Sequence, residues 1–156
     1  MGLEAKNPYE NDEYKSDQAG ELGDLITGID HVAYAVADLD DAIEEYREVF
    51  GILVDHRELL DGEGVEIAVL RLGGSTIQLL TPTRDDADLA EFLDEWGPGV
   101  HHVGYRVADC AQALAAVVAR GLEVQDDEPV PGVLGTTTAY LHPDAFHGTL
   151  IQLVEV

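Results

Sequence analysis

Cysteine is nearly absent from this chain: of 156 residues, only Cys110 carries a thiol. An internal disulfide is therefore excluded, and nothing points to an oxidising compartment. Cys110 opens a stretch that reads as a packed helix, where a thiol behaves as a small apolar side chain. Also missing is any apolar run of the ~18–20 residues that a membrane helix needs, and the first residues show no charged-then-apolar export signal. These absences predict a cytoplasmic protein. Lysine is the third scarcity, with Lys6 and Lys15 alone, so that 8 basic residues face 32 acidic ones. At a net charge of −24 no basic stripe exists to neutralise phosphates, and nucleic acid is not an expected partner. The same charge opposes an anionic substrate at low ionic strength. That repulsion is largely screened at ~1 M salt, where the Debye length is ~3 Å. An acidic, lysine-poor surface is expected of a halophilic protein; the alternative reading is an acidic cytoplasmic protein from an organism with arginine-rich coding.

What the chain does contain is apolar and regular. Hydrophobic residues make up 46% of it, enough for one compact domain or two half-domains sharing a core. Residues 1–27 are acidic and poor in aliphatic side chains, and they read as a flexible N-terminal tail. From Gly28 the pattern repeats itself. Ile29-Asp30-His31-Val32-Ala33-Tyr34-Ala35-Val36 and Val100-His101-His102-Val103-Gly104-Tyr105-Arg106-Val107 are strand patterns with a histidine near the start. Each leads through an aspartate-rich turn into a helical pattern, at 38–50 and 109–120. In the first helix Leu39, Ile43, Tyr46 and Phe50 have the spacing of an inward face. Strands are expected near 52–60, 65–72 and 75–81 in the first half, and near 122–126, 136–142 and 148–154 in the second. A short helix at 88–96 fills the linker. Each half is thus βαβββ, and the expected fold is α+β, with modules at about 28–83 and 99–156 closing into a curved sheet.

His31 and His102 lie 71 residues apart, and Gln78 and Gln152 follow at nearly the same spacing. Each glutamine is the one polar residue of an apolar strand run, a costly position unless it finds a partner. One imidazole and one amide oxygen per half, related by an internal repeat, form a candidate four-ligand metal site. Strand alternation puts His31, Ala33 and Ala35 on one face, and His102, Gly104 and Arg106 on the matching face. It turns His101 the opposite way, outside the site. Arg106 becomes a candidate contact for a substrate carboxylate. His142, before Pro143, reads as a loop histidine or a contact to the distal end of a ligand.

On Ile29-Asp30-His31-Val32-Ala33, Asp55-His56-Arg57-Glu58, Leu79-Leu80-Thr81-Pro82-Thr83, Gly99-Val100-His101-His102-Val103, Asp126-Asp127-Glu128-Pro129-Val130-Pro131-Gly132, Leu141-His142-Pro143 and Gly148-Thr149-Leu150-Ile151, the chain resembles the vicinal oxygen chelate superfamily. That is the fold of glyoxalases, bleomycin resistance proteins and extradiol dioxygenases. Within it, the chain is most similar to the methylmalonyl-CoA epimerase family. The resemblance implies a divalent metal ion (cobalt, zinc or manganese) held by His31, Gln78, His102 and Gln152. It also implies an acyl-CoA substrate, α-proton transfer between the two faces of a thioester, and a homodimer. Family members usually carry glutamate, a proton carrier as well as a ligand, where this chain has Gln152. The second proposed base, two residues after a Gly-Val pair, falls on Ile67. Glu66 is adjacent but one step out of phase, so a bulge would be needed to turn it inward. Other readings on the same scaffold are a glyoxalase-like lyase or dioxygenase, and a non-catalytic small-molecule binder. A dioxygenase wants two histidines and a carboxylate around iron, which Gln152 does not supply.

Overall fold

Regular structure begins before Gly28. A computed structural model describes residues 20–156; the rest of the acidic tail, 1–19, lies outside the described residues. Helix α1, Gly20–Leu25, runs straight into strand β1, Ile26–Ala35, so residues 20–27 are not the tail that composition suggested. Leu22 and Leu25 pack on the core of the second module, and the Leu25 carbonyl accepts from Ala108 N at 2.9 Å. Two leucines suffice to anchor an otherwise polar segment.

The first module continues with α2 (Leu39–Phe50), β2 (Val54–Leu60), β3 (Val65–Leu72) and β4 (Ser75–Pro82), and α3 (Asp88–Trp96) fills the linker. The second module has β5 (Gly99–Val107), α4 (Cys110–Ala119), β6 (Val130–Pro131), β7 (Thr137–Tyr140) and β8 (Ile151–Glu155). The same device starts both crossover helices. The Asp38 carboxylate accepts from Asp41 N at 3.0 Å, and the Asp109 carboxylate accepts from Gln112 N at 2.9 Å, satisfying an N–H that the first turn leaves bare. Gly51 ends α2 in the left-handed conformation, φ 67°, where glycine carries no steric penalty. Helix α4 buries Cys110, Ala113, Leu114 and Val117, one stripe at helical spacing. Helix α2 keeps Leu39 buried, and Ile43 and Tyr46 pack on the same cluster, but Phe50 is 66% exposed, with its ring tilted against that of Tyr46.

The eight strands form one curled sheet of order β2-β3-β4-β1-β5-β8-β7-β6, an α+β fold built from two related halves. In each half the first strand runs parallel to the last, β1 with β4 and β5 with β8, and the halves join antiparallel at β1 and β5. Helices α2 and α4 cover the outer face. Leu89, Phe92 and Leu93 of α3 pack on the inner side, against Ala33, Ala35, Ile67 and Leu80. The expected strand at 122–126 is reduced to one bridge, Val124 with Leu141. Around it His142 N donates to Glu123 O at 3.1 Å and Gln125 N to Tyr140 O at 3.0 Å, while the Asp126 carboxylate takes the Tyr140 N–H at 2.8 Å. Pro129 then offers no N–H at all, and the edge strand forms only at β6.

Candidate active site

Two rows across the sheet build the site. In one, Gln78 on β4 pairs with Ala33 on β1, which pairs with His102 on β5. In the other, His31 on β1 pairs with Gly104 on β5, which pairs with Gln152 on β8. Each row is ligand, small residue, ligand, and the pair of rows reflects the internal repeat. All four polar side chains are buried. A Cβ on Gly104 would stand 2.4 Å from His31 Cε1, closer than any real contact, so the missing side chain makes room for the imidazole.

The two rings meet edge to edge, with Nε2 of His31 2.9 Å from Nε2 of His102. The far nitrogens are occupied. His31 Nδ1 donates to Asp30 Oδ2 at 2.7 Å, and Asp30 Oδ1 accepts from the Arg106 guanidinium at 2.9 Å. His102 Nδ1 lies 2.8 Å from His101 Nδ1 and 3.4 Å from the Tyr140 hydroxyl. Proton positions are inferred from this network. With both Nδ1–H groups given to these partners, the two Nε2 lone pairs converge. Lone pairs so placed repel, and a divalent cation between their axes turns that repulsion into ligation. The donor set therefore fits a metal ion.

Electrostatics keep the pair available. Burial, then the neighbouring His31 and His101 rings, hold the His102 pKa well below its ordinary value, against a hydrogen bond to the Gln152 side chain. Burial takes His101 down to about 4. Both are neutral at pH 7, and His101 can accept. Burial alone would raise the Asp30 carboxyl, but hydrogen bonds from His31 and Arg106 overcome it and hold the group below the usual carboxylate range. Asp30 thus stays charged behind His31 and fixes the orientation of its ring. The Tyr140 hydroxyl is pushed up by burial and by the charges of Glu63 and Asp126, so it remains a neutral donor.

These groups stand at the floor of a cavity of 330 Å³, within the range of small-ligand pockets. Glu63, Asp86, Asp88 and Asp126 also line it, and Arg84 is the one arginine that does so among the described residues. The Arg84 guanidinium bonds the carbonyls of Asp61 and Gly62 at 2.8 and 3.1 Å and the Asp86 carboxylate at 2.8 Å.

His31, Gln78, His102 and Gln152 all line this one cavity, and three other expectations change. The register of β3 with β4 is unbroken, so no bulge turns Glu66 inward; it faces the helix side and accepts from Arg57 at 2.8 Å. Ile67 faces the cavity in its stead. Arg106 does not line the cavity: its side chain is 51% exposed and clamps Asp30. His101 does line it, because β5 slips one residue against β1 between Ala33 and Tyr34, and a bulge puts His101 and His102 on one side. His142 caps a short 3₁₀ turn through Asp144 N at 3.2 Å. With Glu123 and Asp144, both exposed, the half-buried His142 forms a trio of potential ligand atoms, separate from the buried set.

Asp30, Glu63, Arg84 and Tyr140 did not stand out in the sequence. Asp30 had a signal, as a charged residue beside a strand histidine. Glu63 and Arg84 sit in turns, and nothing in the pattern of a turn tells which way it folds over a sheet.

Comparison with known proteins follows the same lines. The family model of the Glyoxalase/Bleomycin resistance protein/Dioxygenase superfamily matches residues 30–140. The ethylmalonyl-CoA/methylmalonyl-CoA epimerase of Cereibacter sphaeroides is 33% identical over 135 residues, 85% of this chain and 100% of that protein. The crystal structure of methylmalonyl-CoA epimerase from Mycobacterium tuberculosis superposes with a TM-score of 0.80 at 36% identity, covering 84% of this chain and 89% of the other. A Streptomyces coelicolor methylmalonyl-CoA epimerase variant in complex with 2-nitronate-propionyl-CoA gives 0.80 at 38% identity, over 83% and 94%.

Proposed function

Because the chain belongs to the glyoxalase/bleomycin resistance protein/dioxygenase superfamily, and its relatives and structural neighbours are methylmalonyl-CoA epimerases, we propose that it is a metal-dependent epimerase moving the α-proton of methylmalonyl-CoA. The observation that carries this reading is the convergent pair of imidazoles, Nε2 to Nε2 2.9 Å, between two buried glutamines that line the cavity. His31, Gln78, His102 and Gln152 would hold the ion. When bound, it supplies a Lewis acid that stabilises charge developing on a thioester oxygen. With two histidines and two amides the set lacks an anionic ligand, so we expect weaker metal binding than a carboxylate would give.

The chain's own residues do the rest. Asp30 and Arg106 fix the His31 ring from behind, and His101 and Tyr140 do the same for His102. Arg84 is the natural partner for the free carboxylate of a methylmalonyl group, its fork already oriented by two carbonyls. Leu60, Val65, Ile67, Leu80 and Leu89 make the walls apolar, which limits water around an enolate. Among the described residues no helix is long and apolar enough to cross a membrane. We extend the reading to a cytoplasmic, salt-adapted protein, and to a homodimer through the exposed Ile29 and Val100 of the central strands.

One observation favours a second reading: Ile67 and Gln152 replace both carboxylates of the resembled family, which a binding protein on this scaffold would tolerate. Proton exchange separates the two. Incubated with methylmalonyl-CoA in deuterated solvent at molar KCl with cobalt, the protein should erase the α-proton NMR signal, and a His31→Ala, His102→Ala variant should not. Binding of the thioester without exchange establishes the binder instead.

A further inference from the structure

With Ile67 and Gln152 at the expected positions of the bases, the epimerase reading needs another proton carrier, and five aspartates and glutamates line the cavity. We propose that Glu63, on the turn between β2 and β3, is the carboxylate that takes the substrate's α-proton; the inference rests on the epimerase reading. The others are committed elsewhere. Asp30 is bonded by His31 and Arg106, Asp86 pairs with Arg84, and one Asp126 oxygen holds Tyr140 N. Asp88 stands in the first turn of α3, where the helix dipole stabilises its charge and weakens it as a base. No hydrogen bond or ion pair to the Glu63 carboxylate occurs among the described residues.

The turn beneath it is rigid. Glu63 N and Gly64 N both donate to Leu60 O, at 3.1 and 3.0 Å, and Thr83 N donates to Gly64 O at 2.7 Å. Arg84 clips the carbonyls of Asp61 and Gly62 from the other flank. Gly64 holds φ 67°, and a Cβ there would stand 3.0 Å from the Arg84 side chain. A long, unbonded carboxylate on a fixed turn at a cavity mouth is a positioned base.

Its surroundings suit that task. Although the residue is exposed, enough protein surrounds its carboxyl to raise the pKa, and the facing charges of Asp126 and Asp88 raise it further. The facing groups also include Tyr140, the Arg84 guanidinium and Asp86. In the step itself the Cα–H bond breaks, and its electron pair enters the C–C bond of the enolate with charge on the thioester oxygen. The proton passes to Glu63. Water at the mouth protonates the opposite face, and the hydroxide left behind takes the Glu63 proton.

Rates of α-proton exchange for native protein, E63Q, E63D and a surface charge control, E95Q, test this, with melting temperatures confirming the fold. We expect E63Q to lose ~10²–10⁴-fold, the usual contribution of a general base, with E95Q near native and E63D reduced between them. A raised carboxylate pKa places the acid limb of the native pH–rate profile above the ordinary glutamate value of ~4.3; E63D keeps that limb and E63Q loses it. Exchange by E63Q at the native rate, or an equal loss in E95Q, overturns the Glu63 assignment and leaves the epimerase reading standing. A native protein that exchanges nothing overturns both.

Discussion

A Cβ at position 104 and the His31 ring cannot share the same space, and a carboxylate and guanidinium behind that ring keep it from turning. The site is thus set by what its neighbours leave empty as much as by its ligands. Partners behind a metal-binding histidine are worth ~10–100-fold in metal affinity. Asp30→Ala should weaken cobalt binding by about that factor, read by titration of the apoprotein. Gln152→Glu should tighten it, since an anionic ligand joins a neutral set. Unchanged affinity in both variants would remove His31 and Gln152 from the ligand set. At this scale the sequence was a good guide to the four inward polar residues, because strand alternation and an apolar background isolate them. It misled at His101, Glu66 and Arg106. A single slipped residue in β5 brought His101 in, the absence of a slip in β3 kept Glu66 out, and Asp30 captured Arg106.

Each module begins its outer helix with an aspartate cap, Asp38 on α2 and Asp109 on α4. Losing such a cap costs ~1 kcal/mol, or roughly 2–4 °C for a chain of this size. Asp38→Ala and Asp109→Ala should each show that loss in thermal melts. The double variant should show the sum, because the caps stand in different modules. A double variant no worse than either single one would mean that the helices do not melt with the sheet. Element order was legible where periodicity is long, as in α2, α3 and the paired strands. It failed at 122–126, where the pairing shrinks to a single bridge, and at α1, whose polar surface hides two anchoring leucines.

Over the whole molecule, 32 carboxylate residues against 8 basic ones make self-repulsion the term most open to the solvent. Raising KCl from low to molar concentration shortens the Debye length from ~30 Å at 0.01 M to ~3 Å, and the melting temperature should climb steeply over that range. A flat curve would mean plain acidity without adaptation to salt. The same screening lets an anionic thioester approach a cavity lined by carboxylates, with Arg84 as its only arginine among the described residues. Composition foretold this charge problem and nothing of its local solution, because a single arginine on a turn leaves no trace in a net charge. The most direct test of the account starts from one pure epimer of methylmalonyl-CoA, with metal and molar KCl present. Followed by chiral separation of the acyl group, the sample should drift to a mixture of both epimers, and removal of the ion by a chelator should stop it. A substrate that stays a single epimer while the protein holds both metal and thioester would contradict the account.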